Sequence, residues 1–164
     1  MTDYDLLAQQ AEEFAKGCDW DITLYANVSA LIYGTLENLN WAGFYLMRDG
    51  ELVLGPFQGK TACMRIPVGK GVCGSAVQES KVIRVEDVHL FKGHIACDDA
   101  SESEIVIPIC NGEKIIGVLD IDSPVKNRFS KEDEEGLLKV KKVIEDFVLR
   151  TSYGQQGEHQ GNRQ

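Results

Sequence analysis

The residues in this sequence best able to do chemistry are its five cysteines, spread over 164 residues. A thiolate is a nucleophile and a soft metal ligand, whereas a buried thiol behaves as a small apolar filler. Cys18, in a link between helical segments, and Cys110, at the end of the apolar run Ile105-Val106-Ile107-Pro108-Ile109, read as fillers. The other three sit in glycine-rich or loop surroundings. Cys63 lies between Lys60 and Arg65, a positive setting that suits a thiolate, although a structural place at the start of a strand fits as well. Cys73, in Gly71-Val72-Cys73-Gly74, stands near the start of a short helix. Unpaired amides and the helix dipole there favour a thiolate, but the same position can pack against a sheet. Cys97, in Gly93-His94-Ile95-Ala96-Cys97-Asp98-Asp99, is in an accessible loop beside an imidazole and two acids, and the acids raise a thiol pKa rather than lower it. Local charge therefore does not choose among Cys63, Cys73 and Cys97.

Acids form the second group. Asp120 and Asp122 end the run Ile116-Gly117-Val118-Leu119. Residues two apart on a strand share a face, so the two carboxylates converge, and Glu104 at the start of the preceding strand can join them. Such a cluster binds an ammonium or, through mutual repulsion, keeps a proton to donate. Solvated strand-end acids are the commoner outcome. Cys63, Cys73, His94 and Cys97 could in principle surround zinc, yet no C-x-x-C pair occurs and the spacings are wide, so no metal is expected. Gly69-x-Gly71-x-x-Gly74 matches a dinucleotide fingerprint only literally, because no parallel strand-helix-strand unit surrounds it. His89 and His94 lack an assignable orienting partner and read as solvated loop histidines.

These residues must be positioned by elements that the patterning predicts. Apolar residues at helical spacing mark a helix from Tyr4 to Lys16, closed by Gly17, and another from Asp21, an acidic N-cap, to Leu36. Trp41–Met47 and Leu52–Phe57 flank Asp49-Gly50, a hairpin signal. A short strand is expected over Cys63–Ile66, a short helix over Val72–Glu79 and a strand over Val82–Val85. Residues 86–103 show no periodicity and read as a binding loop or lid. Ile105–Cys110 and Ile115–Ile121 form a hairpin about Asn111-Gly112, and Ser130 with Asp133 caps a long last helix. The expectation is one α+β domain over residues 1–153, an antiparallel sheet with the N- and C-terminal helices on one face and a loop-covered pocket on the other, followed by a disordered polar tail at 154–164.

Composition narrows the function. A formal charge of −9 with scattered basic residues argues against nucleic acid. No apolar run approaches the roughly 20 residues of a membrane helix. The acidic opening Met1-Thr2-Asp3-Tyr4-Asp5 lacks the basic and apolar segments of a secretory leader, so a cytoplasmic location is expected, where permanent disulfides do not form.

Asn40-Trp41-Ala42-Gly43-Phe44-Tyr45, Leu54-Gly55-Pro56-Phe57-Gln58-Gly59, Cys63, Gly69-Lys70-Gly71-Val72-Cys73-Gly74, Gly93-His94-Ile95-Ala96-Cys97-Asp98 and Gly117-Val118-Leu119-Asp120-Ile121-Asp122-Ser123 together resemble the free methionine-(R)-sulfoxide reductases, a catalytic branch of the GAF-domain fold. The match spans about residues 27–147, and generic GAF sensor domains lack the three spaced cysteines. The resemblance implies that Cys97 attacks the sulfoxide sulfur, that Cys63 resolves the sulfenic acid as a disulfide and that Cys73 supports or substitutes for Cys63. It implies that Glu104, Asp120 and Asp122 hold the substrate ammonium and assist protonation, that Trp41 and Tyr45 enclose the methyl group, and that thioredoxin, rather than a resident cofactor, supplies electrons. The terminal helices offer a surface for a homodimer. Two other readings fit a GAF-like chain: a non-catalytic small-ligand module, and a thiol redox sensor.

Overall fold

A computed structural model describes residues 1–161 except Ala96 and Asp98, with side chains as far as Ser152. Helix α1 (Tyr4–Lys16) starts where the Asp3 carboxylate accepts the Leu6 N–H and ends at Gly17. Helix α2 (Asp21–Thr35) is capped one residue earlier than expected: Trp20 is its N-cap, and Asp21, already helical, accepts the Ile22 N–H through its side chain. Strand β1 (Trp41–Arg48) turns at Asp49-Gly50 into β2 (Glu51–Gly59), with both turn residues at positive φ. Then follow β3 (Arg65–Pro67), α3 (Gly71–Glu79), β4 (Ile83–Val85), β5 (Ser103–Asn111), β6 (Lys114–Ser123) and α4 (Lys131–Gly161). The β5–β6 register pairs Asn111 with Lys114, so Gly112 and Glu113 fill the turn, one residue later than the dipeptide suggests.

The strands form one antiparallel sheet in the order β3-β2-β1-β6-β5-β4. Because side chains alternate across a strand, one set of β1, β5 and β6 residues faces the helices: Ala42, Phe44, Ile105, Ile107, Leu119 and Ile121 pack with apolar residues of α1, α2 and α4. Strands β1, β5 and β6 therefore have apolar residues on both faces, as a sheet covered on both sides requires. The opposite face, with Trp41, Tyr45, Val106 and Val118, packs on Val72, Cys73 and Ala76 of α3. The terminal helices thus occupy one face as expected, and one short helix joins the loops on the other.

Ser130 and Asp133 form the reciprocal cap predicted for α4: each backbone N–H donates to the other's side chain, at 3.0 and 2.9 Å. Asp133 also accepts a hydrogen bond from Tyr4 at 2.6 Å and pairs with Arg128 at 3.1 Å, tying the chain's start to its last helix. Helix α4 extends through residues 154–161 of the segment read as a polar tail, and residues 162–164 lie outside the described residues.

Gly43 lies beside a register shift in the pairing of β1 with β2. A Cβ there would lie 2.3 Å from Phe57 Cβ and 2.7 Å from its Cα. Gly43→Ala is expected to cost about 1–3 kcal/mol through overpacking, read as a lower urea midpoint; an unchanged midpoint would show that the strands separate freely.

Candidate active site

Cross-strand register assembles the acids. Glu104 on β5 pairs with Asp122 on β6, which pairs in turn with Trp41 on β1. The next row on the same face is Val106, Asp120 and Gly43, and the one after brings Val118 beside Tyr45. Directly opposed residues share a face, so Trp41, Tyr45, Glu104, Asp120 and Asp122 all look away from the helical core into one cavity. All five line it, together with Cys73, His94, Ile95, Cys97 and Ser101.

The aromatic wall is rigid. Trp41 stacks on Phe57 at 5.2 Å and on Tyr45 at 5.9 Å between ring centroids. Its indole N–H donates to the Lys60 carbonyl at 3.1 Å, and the Tyr45 hydroxyl donates to the Cys63 carbonyl at 2.8 Å. The two rings therefore hold the backbone of the segment that carries Cys63. Burial, then the nearby acids, pushes the Tyr45 phenol far above its usual range, so it stays protonated.

Cys63 and Cys97 are bonded to each other across a Cα–Cα distance of 5.6 Å, joining two segments that are 34 residues apart. The zinc quartet weighed from sequence is not assembled in this state, since two of its three sulfurs are spent on each other. Ile95 packs against the start of α3, where Gly71 adopts φ +60°; a Cβ at Gly71 would be 3.3 Å from the Ile95 side chain. Ala96 and Asp98, both quoted in the loop motif, lie outside the described residues. The loop read as aperiodic is anchored at its base. Asp87 accepts the His89 N–H to start a 3-10 turn at Val88–Leu90, and the Val88 N–H donates to the Glu102 carbonyl at 2.9 Å.

Cys73 does not realise the helix-terminus reading. Its thiol is buried, and desolvation together with the charges of Asp120 and Glu104 lifts its pKa well above the ordinary thiol value, outweighing the help of the α3 N-terminus. It is held as a neutral thiol. Glu104, 7% exposed, is likewise held protonated, first by burial and then by repulsion from Asp120 and Asp122. Burial raises Asp120 too, opposed by hydrogen bonds from its neighbours, Glu104 and Cys73 among them. One oxygen of that carboxylate, Oδ1, has no hydrogen-bond partner among the described residues and is available to a ligand.

The ligand atoms of Cys73, Glu104 and Asp120 lie within 4.8 Å of one another, a spacing that could surround a cation, but hydrogen bonds among the same groups occupy that space. Asp87, His89 and Glu102 make a second such group at the surface, where Asp87 is already paired with Lys126.

His94 is the site residue that sequence reasoning passed over. Its side chain is only 17% exposed, and its Nε2 lies 3.9 Å from Glu104 Oε1. Desolvation, reinforced by His89, holds its pKa below the usual imidazole value. The available signal was its position three residues before Cys97. His89 is exposed and pairs with Glu102, as the solvated reading has it. Cys110 is half-buried rather than core, at a bulge where its N–H donates to Glu145.

Comparison with known proteins places this arrangement among relatives. The family model described as GAF domain matches residues 26–139. The chain is 60% identical over 128 residues to the free methionine-R-sulfoxide reductase of Escherichia coli, covering 78% of each chain. It is similar to the structure of fRMsr of Staphylococcus aureus in complex with substrate, with TM-score 0.86, 51% identity, and coverage of 90% of this chain and 97% of that one. The free methionine-R-sulfoxide reductase of Neisseria meningitidis, also in complex with its substrate, superposes with TM-score 0.88 at 36% identity, over 92% and 91% of the two chains.

Proposed function

The chain belongs to the GAF-domain family, in the branch of the free methionine-(R)-sulfoxide reductases, and on that footing we propose that it reduces free L-methionine-(R)-sulfoxide to L-methionine by thiol chemistry at Cys97. It is an oxidoreductase acting on a sulfur group. The observation that carries the mechanism is the Cys63–Cys97 bond, made over a cavity whose walls are two stacked aromatics and three carboxyl groups.

The chemistry balances as follows. The Cys97 thiol and the sulfoxide give a Cys97 sulfenic acid and methionine: sulfur of Cys97 is oxidised, and the substrate's S–O bond is broken as the oxygen passes to Cys97. Glu104, held protonated, gives a proton to that oxygen as the bond breaks. The Cys63 thiol then displaces hydroxide, which leaves as water, and the disulfide remains. A dithiol protein of the thioredoxin class reopens it by thiol–disulfide exchange. Asp120 and Asp122 receive the substrate ammonium, which a free amino acid has and a peptide-linked methionine lacks. Trp41 and Tyr45 enclose the S-methyl group, and Cys73 supports Asp120.

In the disulfide state the cavity is about 40 Å³, room for about three waters by the usual minimum. This state fits the step after methionine has left. No helix among the described residues is long and apolar enough to cross a membrane, and a reducing cytosol would supply the dithiol.

The test is to incubate fully reduced protein with L-methionine-(R)-sulfoxide and no reductant. About one equivalent of methionine should appear as two thiols per chain disappear, and the S epimer should give none. A small-ligand module or a redox sensor would release no methionine, and that result would defeat the proposal.

A further inference from the structure

Building on the reductase reading, we propose that His94 is a proton relay for the buried acid Glu104, taking up the proton that Cys97 gives up on attack and returning it to Glu104 before the next turnover.

The need arises from balance. In the attacking step the thiol loses a proton and the substrate oxygen gains one from Glu104. The protein as a whole loses none, yet the proton leaves one group and is missing from another. Glu104 is 7% exposed and faces Asp120, Asp122 and Cys73. Burial raises Asp120 as well, but the hydrogen bonds it receives from Glu104 and Cys73 favour its charged form, and the Cys73 thiol is a weak acid in its surroundings. Neither Asp120 nor Cys73 returns a proton to Glu104 readily. The carrier must accept a proton near neutral pH and reach both the loop of Cys97 and Glu104.

His94 has that placement. It stands three residues before Cys97 on the same loop, lines the same cavity, and puts Nε2 3.9 Å from Glu104 Oε1. That is one small movement, or one water, from a hydrogen bond. Its backbone is fixed, since the His94 N–H donates to the Phe91 carbonyl at 3.2 Å. At 17% side-chain exposure it bridges solvent and the buried acids.

The titratable groups around it are Tyr45 on β1, Glu104 on β5, Asp120 and Asp122 on β6, Cys73 on α3, Cys97 on its own loop and His89 on the 3-10 turn. Burial and His89 keep the imidazole neutral, so it is ready to accept a proton, while Asp120 favours the imidazolium once formed. No atom of His94 enters the bonds being made, so the role is one of proton supply.

The experiment is rapid-quench measurement of methionine release by reduced His94→Gln over pH 5.5–9, on the order of the span an imidazole controls, with and without added imidazole. Glutamine keeps the size and the hydrogen-bonding capacity but cannot carry a proton. The single-turnover rate at pH 7 is expected to fall roughly 10- to 100-fold, with KM little changed, the imidazole-range break in the pH profile lost, and partial rescue by external imidazole. An unchanged rate overturns the relay. So does a slower rate with the wild-type pH profile and no response to imidazole, which would mark a side chain that only supports the loop. If the wild-type protein releases no methionine, the reductase reading falls and the relay with it; if only the variant behaves contrary to expectation, the relay alone falls.

Discussion

Cys97→Ser is expected to release no methionine from L-methionine-(R)-sulfoxide, a loss on the order of 10³-fold or more in single-turnover rate, as removal of a nucleophile commonly gives. The expectation depends on whether another thiol can substitute. Cys73 cannot, because burial and the charges of Asp120 and Glu104 hold its sulfur protonated, and a protonated thiol is a poor nucleophile. Cys63 is positioned by its own carbonyl, which accepts the Tyr45 hydroxyl at 2.8 Å, and so its backbone stays at the aromatic wall. The complementary variant separates attack from resolution. Cys63→Ser should still release about one equivalent of methionine and stop there as a sulfenic acid, failing to turn over with a dithiol reductant. The measurement is methionine released per chain, with a sulfenic-acid trap on the Cys63→Ser product. A stoichiometric burst from Cys97→Ser, or none from Cys63→Ser, would reverse the assignment of the two thiols.

The parts of this molecule that were legible in the sequence are those governed by short-range periodicity. The Asp120–Asp122 spacing predicts convergence because alternation along a strand is a local property, and Glu104 joins them because the hairpin about Gly112 sets the register over the whole of β5 and β6. The Ser130–Asp133 cap is legible for the same reason: donor and acceptor lie within one turn. What local reasoning could not weigh is burial contributed by distant segments. Cys73 sits at a helix start that, taken alone, favours a thiolate; only the packing of α3 on β5 and β6 brings two acids against it and reverses the sign. His94 reads as a solvated loop residue until Ile95, packed on Gly71, brings the loop down over the cavity. The choice among Cys63, Cys73 and Cys97 belongs to the same class. Nothing in the charges next to Cys97 favours it, and its pairing with Cys63 depends on two segments that meet only in the fold. The family resemblance supplied there what periodicity could not.

Glu104→Gln is expected to slow the reaction and stabilise the protein at the same time. Glu104 titrates well above the ordinary carboxylate value because burial, and then the charges of Asp120 and Asp122, disfavour its anion. The folded protein therefore binds a proton there that the unfolded chain has already released. Between the ordinary carboxylate pKa and the raised folded value, the native state holds more protons than the unfolded state, so stability falls as pH rises through that window. The stabilisation is fully present only below the unfolded pKa. Glutamine removes the titration: its amide stays neutral and can still donate to Asp120 or Asp122, so the variant should lose this part of the downward slope and match or exceed wild type in urea midpoint at pH 8. Catalysis should move the other way. An amide offers a hydrogen bond to the sulfoxide oxygen but no proton, and loss of a general acid costs roughly 10²- to 10⁴-fold; single-turnover methionine release should fall within that range. The wild-type rate should also decline on the alkaline side as Glu104 loses its proton, and the variant's residual rate should not follow that limb. A variant that is both slower and less stable at pH 8 would mean that Glu104 serves the fold as an anion rather than the reaction as an acid, and the proton donor would then have to be sought at Asp120 or Asp122.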